Sequence, residues 1–197
     1  MRVRSLWLFA LLTAVFVTDA SATLINVAEG KPVTLTGEFG VMTCCWAPGP
    51  LADGSTLVDG LSLPESSIWQ TDTVWWDERN PGSVGNSILI DLLGTYTLVG
   101  FAVQADNNDT YLIEYQDALN NWLPAWAIPS VAGFGMTTRS ITLGSPIVTD
   151  TLRFTATGGD QFYSVSEIQA SAVPEPGTLL LLGGGLAGLA LRRRRKA

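Results

Sequence analysis

Short apolar runs with a period of two are the feature that most restricts what this chain can fold into. Residues 97–103, 111–115 and 152–156 alternate between two faces, residues 88–92 form a short apolar run, and a last run ends at Ile168. Successive side chains of a β-strand point to opposite faces, so this alternation predicts strands with one buried face. Gly, Asn, Asp and Pro clusters separate the runs at spacings of about 8–14 residues. The sequence therefore predicts an all-β fold, an antiparallel jelly-roll β-sandwich.

The first 22 residues have the three parts of a secretory signal peptide. Arg2 and Arg4 give a positive start, residues 6–17 are mostly apolar, and Ala20 and Ala22 occupy the small-residue positions of a cleavage site. The sequence predicts a signal helix that is cleaved after Ala22 and a protein that is exported through the inner membrane. The folded domain is then expected to span residues 23–172, long enough for one hydrophobic core.

The last segment, residues 173–197, is a second departure from the strand pattern. A Pro174-Glu175-Pro176 breaker precedes the uncharged residues 178–191, and five positive charges follow at 192–196. This order predicts a short transmembrane helix held by a positive stop. Fourteen residues at about 1.5 Å each cover roughly 21 Å of a hydrocarbon core of about 30 Å, so the predicted membrane anchor is marginal.

The C-terminal segment resembles the PEP-CTERM protein-sorting signal. The resemblance rests on Pro174, Glu175 and Pro176, on the short apolar stretch, and on the terminal arginine cluster. It implies that an exosortase processes the chain near the Pro-Glu-Pro motif. The membrane is then a partner only before processing, and the mature protein is expected at the cell surface or in the extracellular matrix.

The charge of the expected domain is strongly negative. Residues 23–173 contain four basic and sixteen acidic residues, a formal charge of −12, because the basic residues concentrate at the two ends of the chain. Nucleic acid and anionic lipid are therefore poor partners for the domain, whereas divalent cations and neutral glycans are compatible with it. The sequence contains no histidine. This excludes Ser-His-Asp and Cys-His catalysis and every histidine-ligated metal.

The two cysteines, Cys44 and Cys45, are adjacent. Neighbouring Cα atoms lie about 3.8 Å apart, below the usual range of about 4.4–6.8 Å for a disulfide, so a bridge between them would be strained. A vicinal disulfide, intermolecular bridges and two buried thiols remain open alternatives. Without a Cys-x-x-Cys spacing, the pair does not indicate a thioredoxin-like or zinc site.

Five short motifs occur in the order found in the discoidin, or coagulation-factor 5/8 C-terminal, branch of the galactose-binding-like fold. They are NVAEGKPV at 26–33, VDG at 58–60 followed by Trp69, IDL at 90–92, YLIEY at 111–115 followed by Trp122, and SEIQ at 166–169. The domain resembles this family over most of residues 24–170. Leu93 departs from the pattern by preceding Gly94, the family's end-to-end disulfide is absent, and residues 44–50 form an insertion.

The resemblance implies sugar or surface binding through loops at one end of the sandwich. Trp faces stack on sugar rings, while Arg and Asn hold hydroxyl groups. The candidate glycan-binding residues are Trp46, Trp75, Trp76, Arg79, Asn107 and Asn108. Because adjacent strand residues point to opposite faces, one of Trp75 and Trp76 is expected to be exposed. The alternative is that tryptophans fill the core, as the resemblance implies for Trp69 and Trp122. Galactose-binding members use a histidine, so galactose specificity is not implied here.

A structural calcium ion is a second implication of the resemblance. Family members often hold one between the Asp-Gly loop and the closing Glu, which here are Asp59 and Glu167. Calcium prefers several oxygen ligands, which carboxylates and carbonyls supply. The alternative is a solvated Asp in a turn and a Glu at a strand end. Residues 106–109 form a second oxygen-rich loop, for which a tight turn between two strands is the favoured reading.

The expected function is that of a secreted, non-enzymatic surface or matrix protein that binds glycan or exopolysaccharide. One alternative is a purely structural envelope or matrix component without a specific ligand. A second alternative is a glycan-acting enzyme, because a pair of carboxylates suffices for glycoside hydrolysis. The sequence gives no reason to select two of its carboxylates for that role.

Overall fold

The structure, a computed structural model, describes residues 23–43 and 49–174. These residues form eight antiparallel strands and two short 3₁₀-helices. The strands are β1 (Ile25–Asn26), β2 (Val33–Thr36), β3 (Val74–Asp77), β4 (Ser87–Asp106), β5 (Thr110–Gln116), β6 (Trp122–Ile128), β7 (Met136–Gly158) and β8 (Phe162–Ala172), and the 3₁₀-helices are Gly54–Val58 and Pro81–Ser83. The predicted all-β class is therefore confirmed. The predicted signal helix and C-terminal membrane helix lie outside the described residues, and within the described part no helix is long and apolar enough to span a bilayer.

Two long strands, β4 and β7, pair with each other and connect the two halves of the sandwich. Their first stretch of pairing runs from Ser87↔Thr155 to Asp91↔Thr151, and β2, β5 and β6 extend this half. Their second stretch ends at Asp106↔Met136, and β8 with β1 and β3 extends that half. Each long strand thus passes from one sheet to the other, and the core lies between the two halves.

Irregular residues allow β4 to change sheets. The register shifts between Asp91 and Tyr96, where Leu93 has a φ of +57° and its backbone N–H donates to Asp91 Oδ1 at 2.8 Å. Such bulges bend a strand and re-aim its side chains. A second shift follows Leu98, so Leu98 and Phe101 are both buried although they are three residues apart. The sequence predicted two separate strands with uninterrupted alternation in 97–103, and the structure instead forms one bent strand.

The sandwich has two ends. At the first, the loop end, β4 leads into β5, β6 into β7, β7 into β8 and β3 into β4. The connecting segments of the loop end are residues 107–109, 129–135, 159–161 and 78–86. At the second, the terminal end, both long strands bend, β5 turns into β6, and the described chain enters and leaves. The segments of the terminal end are residues 93–95, 117–121, 143–150, 23–25 and 173–174.

Trp75 and Trp76 are both buried, with 1% exposure each, so the prediction that one of them is exposed is wrong. Trp76 faces the core, where its ring centroid lies 5.4 Å from that of Tyr163. Trp75 faces the other side of β3, but the edge of the Trp69 ring covers it at 6.0 Å. The segment that precedes β3 also closes over this strand, since the Gly40 N–H donates to the Trp75 carbonyl at 2.9 Å. Neither tryptophan ring has a face for a sugar.

We expect Trp76→Ala to lower the free energy of unfolding by about 3–5 kcal/mol, the usual cost of removing a large buried aromatic side chain. Thermal and urea unfolding followed by circular dichroism measure this loss. Val84→Ala is the matched control, because Val84 is 66% exposed and its truncation leaves no internal cavity. Equal stability of the two variants would contradict the burial of Trp76.

Candidate functional site

An arginine is fixed at the loop end by a buried carboxylate. Asp77, the last residue of β3, is fully buried, and its carboxylate accepts from Arg79 Nε at 2.8 Å and from Arg79 Nη2 at 2.9 Å. The Arg79 guanidinium beside Asp77 holds the pKa of that carboxyl well below its usual range, with the hydroxyl and backbone N–H of Thr43 adding to the effect. Asp77 therefore stays ionised and keeps the guanidinium in one orientation.

The same guanidinium lies over an aromatic ring. Arg79 Cζ is 3.8 Å from the ring centroid of Phe162, the first residue of β8, and the Arg79 side chain is 32% exposed. The Trp69 ring follows at 5.6 Å from Phe162. The cation–π contact with Phe162 and the ion pair with Asp77 together hold the Arg79 side chain in place. Trp69, Phe162 and Arg79 thus form a partly exposed row, which we call the arginine–aromatic row.

Asn108, in the turn between β4 and β5, lies beside this row because it is bound to the turn between β7 and β8. Asn108 is exposed, and its amide donates to Asp160 Oδ2 at 2.8 Å. The other carboxylate oxygen of Asp160, Oδ1, accepts from the Phe162 N–H at 2.9 Å. The carbonyl of the next residue in this turn, Gln161, accepts from the Glu78 N–H at 2.9 Å. Glu78, the neighbour of Arg79, and Asn108 are therefore both bound to the turn between β7 and β8. The structure brings together two of the predicted glycan contacts, Arg79 and Asn108.

Asn107, in contrast, holds the loops of this end together. It is 8% exposed, its amide donates to the Val131 carbonyl at 3.2 Å, and its backbone N–H donates to the Gly135 carbonyl at 3.0 Å. The sequence predicted Asn107 as a glycan contact next to Asn108. Its burial leaves no amide face for a ligand, because the two asparagines of the turn point in different directions.

The predicted contact Trp46 lies outside the described residues, as do Cys44 and Cys45. The described residues on both sides of that segment lie next to the arginine–aromatic row. Thr43 binds Asp77, and a Cβ placed on Gly49 would collide with the carbonyl oxygen of Gln70, the neighbour of Trp69. Thr43 and Gly49, the described residues on the two sides of positions 44–48, therefore both lie close to the row.

A buried polar layer under the loop end was not anticipated from the sequence. Asp106, Asp109 and Arg139 are all nearly inaccessible. The Arg139 guanidinium donates to the carbonyls of Asp106 at 2.9 Å, Pro129 at 3.1 Å and Asp109 at 3.3 Å, so it ties two loops together. Buried arginines need several acceptors, and main-chain carbonyls at converging turns supply them. The only sequence signal was the unusual density of oxygen-bearing residues at 106–109.

Burial raises the pKa of two carboxyl groups in this layer. The pKa of Asp109 rises to about 8, first because of burial and then because of the charges on Asp106 and Asp160. The pKa of Asp106 rises to about 6, again mainly because of burial. Asp109 accepts from the Tyr111 hydroxyl at 3.2 Å and from the Asp160 N–H at 3.3 Å. A Cβ on Gly159 would collide with Asp109, so glycine is required above this carboxyl group.

The predicted calcium residues, Asp59 and Glu167, lie at the side of the sandwich. Glu167 in β8 is 1% exposed, and neither of its carboxylate oxygens has a hydrogen-bond partner in the described part of the chain. The pKa of Glu167 is raised to about 7, mainly by burial and in smaller part by the charges of Asp59 and Glu29. The Gln169 side chain and the Gly60 backbone favour the charged form from nearby, without reaching either oxygen in hydrogen-bond geometry.

These residues fit a hard cation in part. Two buried oxygens without a partner among the described residues and two neighbouring carboxylates are a donor set that suits a divalent cation. In the described part of the chain, however, no three Asp, Glu, His or Cys side chains converge closely enough to form a complete site. A calcium ion at Glu167 would therefore need main-chain carbonyl oxygens as additional ligands.

The processing motifs lie at or beyond the limits of the described chain. Pro174 is described and lines a small pocket with Ile25 and Tyr96. Glu175 and Pro176, and the predicted signal-cleavage residues Ala20 and Ala22, lie outside the described residues.

Comparison with known families identifies the C-terminal segment. The model of the PEP-CTERM protein-sorting motif matches residues 172–195, which confirms the prediction made from the sequence. The motif indicates a secreted protein that is sorted to the cell exterior. No curated protein sequence matches the chain significantly.

Comparison with solved structures confirms the galactose-binding-like fold. The family 32 carbohydrate-binding module of C. perfringens NanJ has a TM-score of 0.52 at 16% identity, with 76% of this chain and 98% of the module covered. A fucose binding module of Streptococcus pneumoniae has a TM-score of 0.53 at 15% identity, with 75% and 97% covered. The fucolectin of striped bass (Morone saxatilis) serum has a TM-score of 0.56 at 12% identity, with 76% and 49% covered. Likeness at this level of identity shows a shared fold.

Because the pKa of Asp109 rises to about 8 in the folded protein against about 3.9 in an unfolded chain, the folded state holds an extra proton between these values. The contribution of protonated Asp109 to the free energy of unfolding is therefore fully present below about pH 4, and it is lost as the pH rises towards 8. We expect Asp109→Asn to be more stable than the natural chain at pH 8, by about 1 kcal/mol or more, and similar to it near pH 4.

Thermal melts across this pH range test the expectation. Asp117→Asn is the control, because hydrogen bonds from Asn121 lower the pKa of Asp117 at the opposite end of the sandwich. A pH profile that Asp109→Asn leaves unchanged would show that Asp109 is ionised in the folded protein at neutral pH.

Proposed function

We propose that this protein is a secreted, non-catalytic glycan-binding protein whose loop end takes up a neutral glycan beside the arginine–aromatic row. The observation that carries the proposal is the partly exposed Arg79, held over the Phe162 ring and oriented by the buried Asp77. A guanidinium held in one orientation before binding loses little entropy when a sugar binds against it.

The neighbouring residues supply the other parts of a sugar site. Asp160 contributes carboxylate acceptors, and Asn108, on the adjoining turn and hydrogen-bonded to Asp160, contributes an exposed amide. Trp46 is three residues along the chain from both Thr43 and Gly49, which lie close to the row. Because Trp75 and Trp76 are buried, we propose that Trp46 is the residue that stacks on the sugar ring. Aromatic faces next to a few oriented polar groups are the usual composition of carbohydrate sites.

Structural neighbours support this choice of ligand class. The C. perfringens module was solved in complex with galactose, and the S. pneumoniae module is described as fucose binding. The formal charge of −12 over residues 23–173 favours a neutral glycan over an acidic one. The absence of histidine removes the residue that galactose-binding members of the resembled family use, so we assign the class of ligand and leave the sugar open.

The sorting motif supports an extracellular site of action. We infer that an exosortase processes the chain near Pro174 and that the mature protein joins the cell surface or the exopolysaccharide matrix. Removal of a marginal membrane anchor would release the domain towards its glycan. A purely structural matrix component would share this delivery but would need no oriented arginine at the loop end.

A glycan-acting enzyme is the less supported alternative. Glycoside hydrolysis requires two carboxyl groups that flank the substrate, one of them with a raised pKa. At the loop end the carboxyl groups with a raised pKa are Asp106 and Asp109, which are 4% and 0% exposed. Neither can reach a glycosidic bond without opening the loops that Arg139 ties together.

We expect Arg79→Ala to weaken retardation in an affinity gel that contains the producing cell's exopolysaccharide by at least about tenfold, a loss of about 1.4 kcal/mol. Asn108→Ala and Trp46→Ala should weaken it as well. Arg153→Ala is the matched control, because Arg153 is also an arginine on an aromatic ring, 4.3 Å from Trp122, with a carboxylate partner, Glu114. It lies on a sheet face, away from the loop end.

Melting curves of each variant separate lost binding from lost folding, since Arg79→Ala leaves the buried Asp77 without its cation. Equal weakening by Arg153→Ala and Arg79→Ala would move the site away from the loop end. No retardation of the natural chain by any extracellular glycan would leave the structural matrix component as the better description.

We further infer that Glu167 and Asp59 hold a structural calcium ion together with main-chain carbonyls. Calcium would supply the positive charge that the buried Glu167 carboxylate lacks among the described residues. Such an ion stabilises the folded domain and the loop that carries Asp59, and it takes no part in holding the glycan.

We expect calcium to raise the melting temperature and Glu167→Gln to abolish that rise, because an ion that binds only the folded state adds about 2.7 kcal/mol to the free energy of unfolding at a hundred times its Kd.

Without calcium, the raised pKa of Glu167, about 7, means that the contribution of this group to the free energy of unfolding falls as the pH rises from about 4.5 to 7. Scanning calorimetry with calcium and with chelator at pH 5 and pH 8 tests both statements. Asp150→Asn, which removes an exposed carboxylate, is the control. A melting temperature that chelator does not change at pH 8 would rule the ion out.

A further inference from the structure

Val84 and Phe134 are exposed at the loop end, and a larger set of exposed apolar side chains lies at the terminal end, opposite the proposed glycan site. We call this larger set the terminal rim. Its members are Leu24 (52% exposed), Ile25 (44%), Leu93 (66%), Leu119 (80%), Val148 (59%) and Val173 (39%). Two surface pockets that share Thr95 join three of these members: one pocket is lined by Ile25 and Val173, and the other by Val148. Groups of exposed apolar side chains mark interaction surfaces.

Leu93 is the most informative member of the terminal rim. Its φ is +57°, a conformation that a leucine rarely adopts, and the strain is of order 1 kcal/mol or more. The fold gains little in return, because two thirds of the side chain remains exposed. Glycine would adopt the same backbone without strain. A strained, exposed leucine at a strand bend is therefore accounted for by a contact made outside the domain.

The position of the chain terminus identifies that contact. Pro174 lines the same pocket as the rim residue Ile25, and the uncharged segment 178–191 begins four residues later. Four residues span at most about 14 Å. Insertion of residues 178–191 into a bilayer therefore brings the terminal end of the domain to within that distance of the membrane surface.

We propose that the terminal rim rests on a zwitterionic lipid surface while the C-terminal segment is inserted. Leu93, Leu119 and Val148 supply the apolar contact at the bilayer interface. The carboxylates of Asp91, Asp117 and Asp150 stand around the rim with one ammonium group, that of Lys31 above the Tyr96 ring. This charge disfavours an anionic surface and is compatible with a neutral headgroup layer.

The tail is necessary for this contact to persist. A few partly buried side chains give weak membrane affinity on their own, as single lipid chains do. The inserted tail raises the effective concentration of the terminal rim at the membrane surface, so that even a weak contact is formed most of the time. Removal of the tail lowers that concentration and frees the rim. The proposal thus orients the unprocessed domain with its loop end away from the membrane, and it does not depend on the proposed glycan site.

The test uses the full chain in vesicles of phosphatidylcholine that contain a nitroxide-labelled lipid. Cys44 and Cys45 are replaced by serine, and one fluorophore is attached through Leu93→Cys or through Val84→Cys. The two positions are matched, since each natural residue is 66% exposed, but Val84 lies at the loop end. We expect several-fold stronger quenching at position 93 than at position 84, in chains that float with the vesicles.

Each other outcome counts against the proposal. Equal quenching at both positions in floating chains would overturn it and would favour a protein partner for the rim, since these vesicles contain lipid alone. Chains that do not float would overturn it together with the inserted tail. A fluorophore at Leu119→Cys provides a second reading: Leu93→Gly should reduce its quenching several-fold while leaving the melting temperature equal or higher. Unchanged quenching would remove Leu93 from the contact.

Discussion

The pairing of β4 with β7 is the constraint on which the rest of this structure depends. Both strands are longer than one sheet of the sandwich, so they pass together from one half to the other and bend at the terminal end. All other strands attach to this pair directly or through β8 and β5. Because both long strands start and finish at the loop end, four connections converge there, and converging connections can build a polar site.

The loop end is held by buried charge as well as by apolar packing. Arg139 collects three main-chain carbonyls from two connections, while Asp109 stays inaccessible beneath Gly159 and next to Tyr111. Burying such groups is expensive unless hydrogen bonds replace their hydration. The hydrogen bonds of Arg139 join the connection that carries Asn108 to the connection between β6 and β7. A group that is held in place before binding loses less entropy when a ligand binds.

The two ends of the sandwich differ in how the chain builds them. The loop end displays an oriented arginine, carboxylates and amides around an aromatic row, and the terminal end displays aliphatic side chains and carboxylates where the described chain enters and leaves. This difference follows from topology, since the ends of the described chain and the strand bends share one end and the connecting loops share the other.

The sequence by itself determined the strand content, the galactose-binding-like fold and the sorting motif at 172–195, because alternation, motif order and the Pro-Glu-Pro segment are local patterns. It also selected Arg79 and Asn108, which lie on two different connections that both reach the turn between β7 and β8. Only the tertiary structure decided that Trp75 and Trp76 are both buried, because residues distant in sequence cover the second face of β3. It likewise decided that Asn107 ties loops together and that Asp109 and Arg139 are buried. Burial depends on what packs from elsewhere in the chain, and a local pattern carries no record of that.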